Sequence, residues 1–589
     1  MKNPISLLSL VVITALLIGI ITIYMPKWEK QGMDATISYD VSGYYQYLPA
    51  AFIYHDLKNF SFEKRLHEPD INIETISGRR IDENHYQFQY PPGLAILYSP
   101  FFAAAHVYAL NSEYKSNGYS LPYQISLHFG SVFVAFLGLF FLRRFLLKYC
   151  SDAVTAITLL IISLGTNYII YASINAPQSH NYLFTLNVLI LVLTTRLFDE
   201  SKPKRQRDLM GLAVLLGLTT ITRNTEIITF LFVLFFGLQR QFRMNNLKER
   251  FRDIFKRKGI ALSVIIYLCI VSFQFIYNLH SSGSLFSSGY GDQGFSFLKP
   301  HIIDCLFSAR AGWIIYSPLV LLMLIGFYPL AKFRKSWFLG TLIYLIVFAY
   351  VHFSWDIWWY GGSVGQRTMI QTYPFLALPL ATLVNQIFTK GKVWLKTLFG
   401  IFVTYGIVHS LWIFHATHKG HILIPPQVTK EYLWKVYGKL SVENQTKKLL
   451  DSDELYEGPT PKLLEVFSTT DTLFASRIPP HEPIQEIYIP LDNPKDWLRL
   501  TFTETSPIKE WTTWKQPKVF IEFYNKDRGL KSNFYRPHRQ FNTEKVHDHF
   551  FDVEVPKDQY PDQIRLYIDN LNTDIPMTMW NIRVYTFEG

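Results

Sequence analysis

At 589 residues the chain has room for more than one domain, and its composition is 49% hydrophobic, 16% aromatic and only 17% charged, against about 25% charged in ordinary soluble proteins. The net charge of +11 does not signal nucleic acid, because Lys and Arg sit in short loops between apolar runs, the bias of a polytopic membrane protein. Cys150, Cys269 and Cys305 are too few and too widely spaced for a disulfide framework or a metal cluster.

Ile5 to Tyr24 is an apolar run long enough to span a bilayer. Lys2 before it favours a cytoplasmic N-terminus, and Tyr24-Met25-Pro26-Lys27-Trp28 offers no small-residue cleavage site, so the run reads as an uncleaved first helix. A long outer loop, about 25–120, follows, with apolar pieces at Tyr44–Tyr54 and Gly93–Leu110. Leu121–Leu142 ends in Arg143, Arg144 and Lys148 and therefore runs inward, so the Gly93 piece is expected to lie as an interfacial helix on the outer surface.

Further spans are expected at Ala153–Ser173 and Asn181–Phe198, before a basic loop at 202–207. Leu209–Leu238 has basic loops on both sides and Arg223-Asn224-Thr225-Glu226 at its centre, which reads as two half-helices meeting at a polar, cavity-lining break. Ile260–Leu279, Trp313–Ala331, Trp337–Phe353, Thr368–Phe388 and Leu395–Phe414 complete about eleven crossings, with the C-terminus outside. The expected setting is a plasma (bacterial inner) membrane.

Residues 1–415 thus form a membrane domain, 416–458 a helical linker, and 459–589 an extracytoplasmic domain. Period-two segments at Gln485–Pro490, Trp497–Thr503, Val519–Tyr524, Phe550–Val555, Ile564–Ile568 and Trp580–Phe587 predict an all-β sandwich or jelly roll there.

Outer-side polar clusters are the candidate site. Asp40 follows the first helix among Tyr39, Tyr44 and Tyr45, a carboxylate at a membrane mouth suited to general-base work, although a solvated loop Asp would read the same. Arg223 and Glu226 lie at the mid-span break, where ionisable groups either do chemistry or hold half-helices in register. Trp355, Asp356 and the run to Gly365 and Arg367 combine aromatic-belt residues with glycines and a guanidinium suited to an anionic group. The loop holding Tyr290 and Arg310 is a further flexible outer element. No Walker A loop, nucleophile elbow, dinucleotide fingerprint or Cys/His metal spacing is present.

These clusters, in this order, resemble the GT-C superfamily of membrane glycosyltransferases, which includes protein O-mannosyltransferases and the lipid A aminoarabinose transferase. The matching elements are Asp40 after the first helix, Tyr90-Pro91-Pro92-Gly93 opening an interfacial helix, and the break LTTITRNTE ending at Glu226. FSARAGWIIYSP up to Pro318 and GGSVGQRTMIQTYP up to Pro374 resemble two further patterns of the type. Tyr90 stands where His or Lys is common, Asn224 where Pro is common, and Asp40 lacks an adjacent second acid.

The resemblance implies inverting transfer of a sugar from a polyprenyl-phosphate donor to a glycan, lipid or protein acceptor on the outer face. Asp40 is then the base and Arg223 and Arg367 hold the donor phosphate, with Tyr44, Tyr45, Glu226, Tyr290, Arg310, Trp355, Asp356 and Gly365 lining the cavity. The partners implied are the lipid-linked donor, its acceptor and membrane lipids, without nucleic acid. No cofactor is specified, and a divalent metal bridging Asp40 and phosphate is compatible with the family. Two other classes fit the same residues: a flippase or transporter of lipid-linked saccharide, and a membrane-anchored carbohydrate-binding scaffold.

Overall fold

The computed structural model describes residues 3–73, 78–199, 206–238, 244–291, 293–425, 427–452, 454, 456, 458–475, 485–505, 516–537, 546–557, 559–569 and 576–589. Most of the expected basic loop at 202–207 lies outside them. The chain divides into two compact units, Met1–Lys419 and Gly420–Gly589.

The first unit is mainly helical. Among the described residues six helices are long and apolar enough to cross a membrane: Pro4–Glu29, Gly93–Leu110, Leu121–Leu146, Ile260–Ser282, Lys335–Phe353 and Val393–His418. The expected count of about eleven is therefore not met by continuous spans. The run expected as one span at 313–331 is broken into Trp313–Tyr316, Val320–Ile325 and Phe327–Phe333. Pro318 cannot continue the hydrogen-bond ladder and forces Ser317 out of helical geometry, at φ −143° and ψ 67°. Gly93–Leu110, expected to lie on the surface, also qualifies as a crossing by length and composition, and it packs against Leu121–Leu146.

The first helix, α1 (Pro4–Gly19), is anchored at its start by residues far along the chain. Asp152 accepts from the backbone N–H of Ile5 (2.8 Å) and Ser6 (3.0 Å), so a carboxylate satisfies donors that a helix N-terminus leaves open. Arg143 donates to Ser6 Oγ and to the Asn3 carbonyl. The Leu209–Leu238 region breaks at Arg223. Helix α2 (Gln206–Thr222) stops there, Arg223 is extended at φ −148° and ψ 122°, and a 3-10 turn, Asn224–Ile228, leads into α3 (Thr229–Phe235).

In the second unit the six expected strands form, together with β3 (Leu464–Thr469), β4 (Leu473–Ala475) and β8 (Arg528–Tyr535); β1 (Arg79–Asp82) and β2 (His85–Gln87) are a hairpin of the first unit. With β5 (Glu486–Pro490), β6 (Trp497–Thr505), β7 (Lys518–Asn525), β9 (His547–Glu554), β10 (Gln563–Asp569) and β11 (Met577–Phe587), one sheet has the order β5-β10-β7-β8 and the other β3-β11-β6-β9, with β4 paired to β11. That alternation between two antiparallel sheets is a jelly roll. Its core alternates along each strand: Val519, Ile521 and Phe523 face Leu498, Leu500 and Phe502 from the other sheet.

The stretch expected as a linker, 416–458, is divided between the units. Its portion beyond Lys419 packs on the jelly roll: Asp451 pairs with Arg536, both almost fully buried, and Glu454 pairs with Lys531. Lys448 donates to the Phe550 carbonyl with its ammonium 3.5 Å from the Phe550 ring centroid.

Candidate active site

Close backbone approach assembles the site. A Cβ on Gly93 would lie 2.5 Å from the backbone of Ile221 and Thr222, so only glycine lets the Tyr90-Pro91-Pro92 turn abut the break before Arg223. Gly289 does the same for the outer loop, where a Cβ would fall 2.3 Å from the Phe88 carbonyl oxygen. Tyr290 thereby packs edge-on against Tyr90 and Trp355, with centroids 5.8 and 5.5 Å away.

Asp40 sits in the first turn of a short helix, Tyr39–Tyr45. Arg367 Nη2 lies 2.8 Å from Asp40 Oδ2, with the two side chains only 14% and 16% exposed. The Tyr90 hydroxyl donates to Asp40 Oδ1 at 2.8 Å, and the Tyr44 ring stacks on Tyr90 at 4.2 Å. The carboxylate thus meets a guanidinium and a phenol rather than apolar walls alone. Each contact uses one lone pair of a different oxygen, which leaves acceptor capacity on both. Burial pushes the Tyr90 phenol well above its ordinary range and the Asp40 charge pushes it further, so it remains a donor. For Arg367, burial is the largest influence and opposes the charge, but Asp40 together with Tyr171, Tyr90 and Tyr44 outweighs it, and the guanidinium is held more firmly protonated than usual.

Arg367 opens a 3-10 turn, Arg367–Thr372. Its backbone N–H donates to Gly365 O (3.1 Å) and Ser363 Oγ (3.3 Å). Gly365 adopts φ +63°, and a Cβ there would sit 2.9 Å from Tyr316 Cβ. Beyond Asp40, Arg367 Nη1 reaches Gln178 Oε1 at 3.4 Å, while its Nε is buried without a hydrogen-bond partner among the described residues.

The other expected residues separate into two groups. Arg223 belongs to the cluster: it lies within electrostatic reach of Tyr44, Tyr290, Tyr360 and Arg367. Glu226 is fully buried behind it and accepts from Gln371 Nε2 at 2.7 Å. Trp355 faces Tyr290 and Phe295. Tyr45, by contrast, is in the core, where its hydroxyl donates to the Gly118 carbonyl and its ring meets Tyr98, Phe102 and Tyr119. Asp356 fastens the outer loop by accepting from Gly294 N–H and Ser296 Oγ. Arg310 lies over the Trp359 ring at 3.6 Å, and Gln366 links its loop to the site by donating to Ala311 O and Trp358 O.

Four functional candidates were not singled out in the sequence. In the sequence Tyr90 is part of the Tyr90-Pro91-Pro92-Gly93 element, standing where His or Lys is common, with no site role; in the structure it is a hydrogen-bond donor to Asp40. Gln178, His180 and Gln371 are the others, and they contact the two arginines or Glu226. The polar run Asn175 to Asn181, at the head of an apolar helix, was the available signal.

The residues around Asp40 do not suit a divalent cation. Its carboxylate already faces a guanidinium, and among the described residues no three His, Cys, Asp or Glu side chains gather.

No protein-family model matches the chain, and no curated protein matches it. Among solved structures, the chain is similar to the crystal structure of ArnT from Cupriavidus metallidurans bound to undecaprenyl phosphate, at 13% identity and a TM-score of 0.40. The match covers 70% of this chain and 66% of that one, just under two thirds of its length.

Proposed function

We propose that the protein is an integral-membrane glycosyltransferase that moves a sugar from a polyprenyl-phosphate donor to an acceptor hydroxyl on the outer face of the membrane. The observation that carries this reading is the convergence of one carboxylate and two arginines, Asp40, Arg367 and Arg223, in a tyrosine-lined cluster of the helical unit.

Asp40 takes the proton of the acceptor hydroxyl as its oxygen attacks the anomeric carbon. The bond from that carbon to the phosphate oxygen breaks, and the electron pair leaves on polyprenyl phosphate. One displacement with one base inverts the anomeric centre, unlike the two-carboxylate retaining route. A phosphate is already a good leaving group, so no protein acid is required. Developing charge on it is met by fixed cations in a water-poor pocket, where they need no reorganisation during the reaction. Arg367 serves both partners: Nη2 holds Asp40, and the buried Nε–H has no acceptor among the described residues and is available to the phosphate.

The test is transfer by the purified protein, supplied with polyprenyl-phosphate sugars and envelope glycans, lipids or proteins as acceptors. A glycosylated acceptor with inverted anomeric configuration and stoichiometric release of polyprenyl phosphate is expected. Translocation of intact donor across proteoliposomes, with no glycosidic bond formed by any acceptor, would refute the reading and support a flippase.

A further inference from the structure

The two arginines are held in different ways. Arg367 is ion-paired with Asp40. Arg223 has no carboxylate at ion-pair distance among the described residues; its side-chain partner is the imidazole of His180, with Nη1 3.4 Å from His180 Nε2. A guanidinium only donates, so Nε2 must be the unprotonated, accepting nitrogen and Nδ1 carries the proton. Nδ1–H then donates to Gln371 Oε1 at 2.9 Å, and the other end of that amide donates to Glu226 Oε1 at 2.7 Å. Every bond in the chain Arg223, His180, Gln371, Glu226 has a fixed direction, and it ends on a carboxylate. His180, Gln371 and Glu226 are each no more than 1% exposed. The backbone holds the amide too, since Asn187 Nδ2 donates to the Gln371 carbonyl at 2.8 Å.

We infer that His180, Gln371 and Glu226 are positioning residues that aim Arg223 at the donor phosphate while leaving it without a direct carboxylate contact. This rests on the glycosyltransferase reading above. A carboxylate in direct contact would orient the guanidinium equally well but would cancel the field it presents to an anion. A neutral imidazole fixes one edge through a lone pair and leaves the charge intact. Placing Glu226 three hydrogen bonds from Arg223, through His180 and Gln371, polarises the imidazole toward Arg223 without a direct ion pair. Labour is thereby divided: Arg367 ties the base to the phosphate, and Arg223 supplies the standing positive charge. The 3.4 Å contact is the longest link and the one to test.

An asparagine amide reaches the position of Nδ1, and a glutamine amide that of Nε2, so the two substitutions separate the two ring nitrogens. The full-length protein in detergent is titrated with undecaprenyl phosphate, following tryptophan fluorescence, for Arg223→Lys, His180→Asn, His180→Gln and Gln371→Met, with unfolding temperature measured on each. Arg223→Lys and His180→Asn are expected to weaken binding about tenfold. His180→Gln, which keeps an acceptor for Arg223, should stay within about threefold of the parent, and Gln371→Met should fall between them. If Arg223→Lys weakens binding but His180→Asn and Gln371→Met do not, the positioning inference fails and the phosphate reading stands. If Arg223→Lys itself binds normally, both fail. Equal weakening by His180→Gln and His180→Asn, accompanied by a lower unfolding temperature, would make His180 a packing residue and also overturn the inference.

Discussion

Replacing Asp40 with Asn tests the proton-transfer step and the Asp40–Arg367 pair together, and the structure lets the two be told apart. Asn keeps the shape and one carbonyl oxygen, so Arg367 retains an acceptor at the 2.8 Å position. Breaking a fully buried ion pair by deleting one partner costs about 3–5 kcal/mol. Here both side chains keep some exposure and one hydrogen bond survives, so about 1.5–3 kcal/mol is the expected loss, that of a hydrogen bond to a charged group. Transfer should fall far more than stability accounts for, by about 10²–10⁴, because the proton acceptor is gone. That corresponds to about 2.7–5.4 kcal/mol in the barrier. The assay is single-turnover release of polyprenyl phosphate with a saturating acceptor, alongside the unfolding temperature and the affinity for undecaprenyl phosphate. Asp34→Asn is the control: Asp34 is 63% exposed and forms a long, 3.9 Å ion pair with Lys30 in the outer loop. If Asp40 merely holds Arg367, then Asp40→Asn, Arg367→Met and the double variant would lose donor affinity and turnover to the same extent. That result, or near-normal transfer by Asp40→Asn, would refute the base assignment.

Gly365→Ala should cost about 1–3 kcal/mol, since the residue has φ +63° and the new Cβ meets Tyr316; donor affinity should fall with it because Gly365 O receives the Arg367 N–H, and unchanged affinity would dissociate the loop from phosphate binding. A fragment from Gly420 is expected to be soluble and β-rich by circular dichroism. One from residue 459 should be less stable by about 3–5 kcal/mol in urea melts, because it strands the buried Arg536 without Asp451. Burial lowers the Lys448 ammonium to about 7, whereas the unfolded chain takes up that proton near 10.4. The unfolded state therefore binds more protons between these values, so the domain should gain stability as pH rises from about 7 to about 10, by at most about 1.4 kcal/mol per unit. Lys448→Met should abolish that slope; an identical pH profile for parent and variant would refute it. Reporter fusions after Lys256 and Lys392 are expected to be cytoplasmic and those after Gly291 and Gly589 external, from the basic-loop bias; a cytoplasmic Gly589 would overturn this sidedness.

Much of the second unit was legible because strand alternation is local. In Val519 to Tyr524 the period-two set Val519, Ile521 and Phe523 faces the core, while Phe520 and Glu522 take the other face, Phe520 stacking on Tyr567. The helical unit was less legible for an equally physical reason: a long apolar run looks the same whether it is one helix or three, and only Pro318 marks the break after Tyr316. In the site, Asp40, Arg223 and Arg367 stood out because a charged group beside apolar spans is conspicuous. Tyr44 and Tyr45 could not be separated by composition. Adjacent positions on a helix point about 100° apart, so when Tyr44 turns to Tyr90, Tyr45 must turn into the core. Asp356 was conspicuous for the same reason as Asp40, but its partners are Gly294 and Ser296, and nothing local distinguishes a fastener from a ligand. His180 and Gln371 were missed because their importance lies in a chain of neutral donors and acceptors, which has no charge signature in a sequence.

The clamp on α1 has a consequence for how the protein is made. The first turn of α1 donates its open N–H groups to Asp152, 147 positions after Ile5. Until Asp152 has been synthesised, α1 has hydrophobicity to hold it in the bilayer but lacks the acceptor that its first turn uses. Its final rotation and depth are therefore fixed late, when Arg143 and Asp152 arrive together at the same end. A bulky group placed immediately before Pro4 would compete with that docking step.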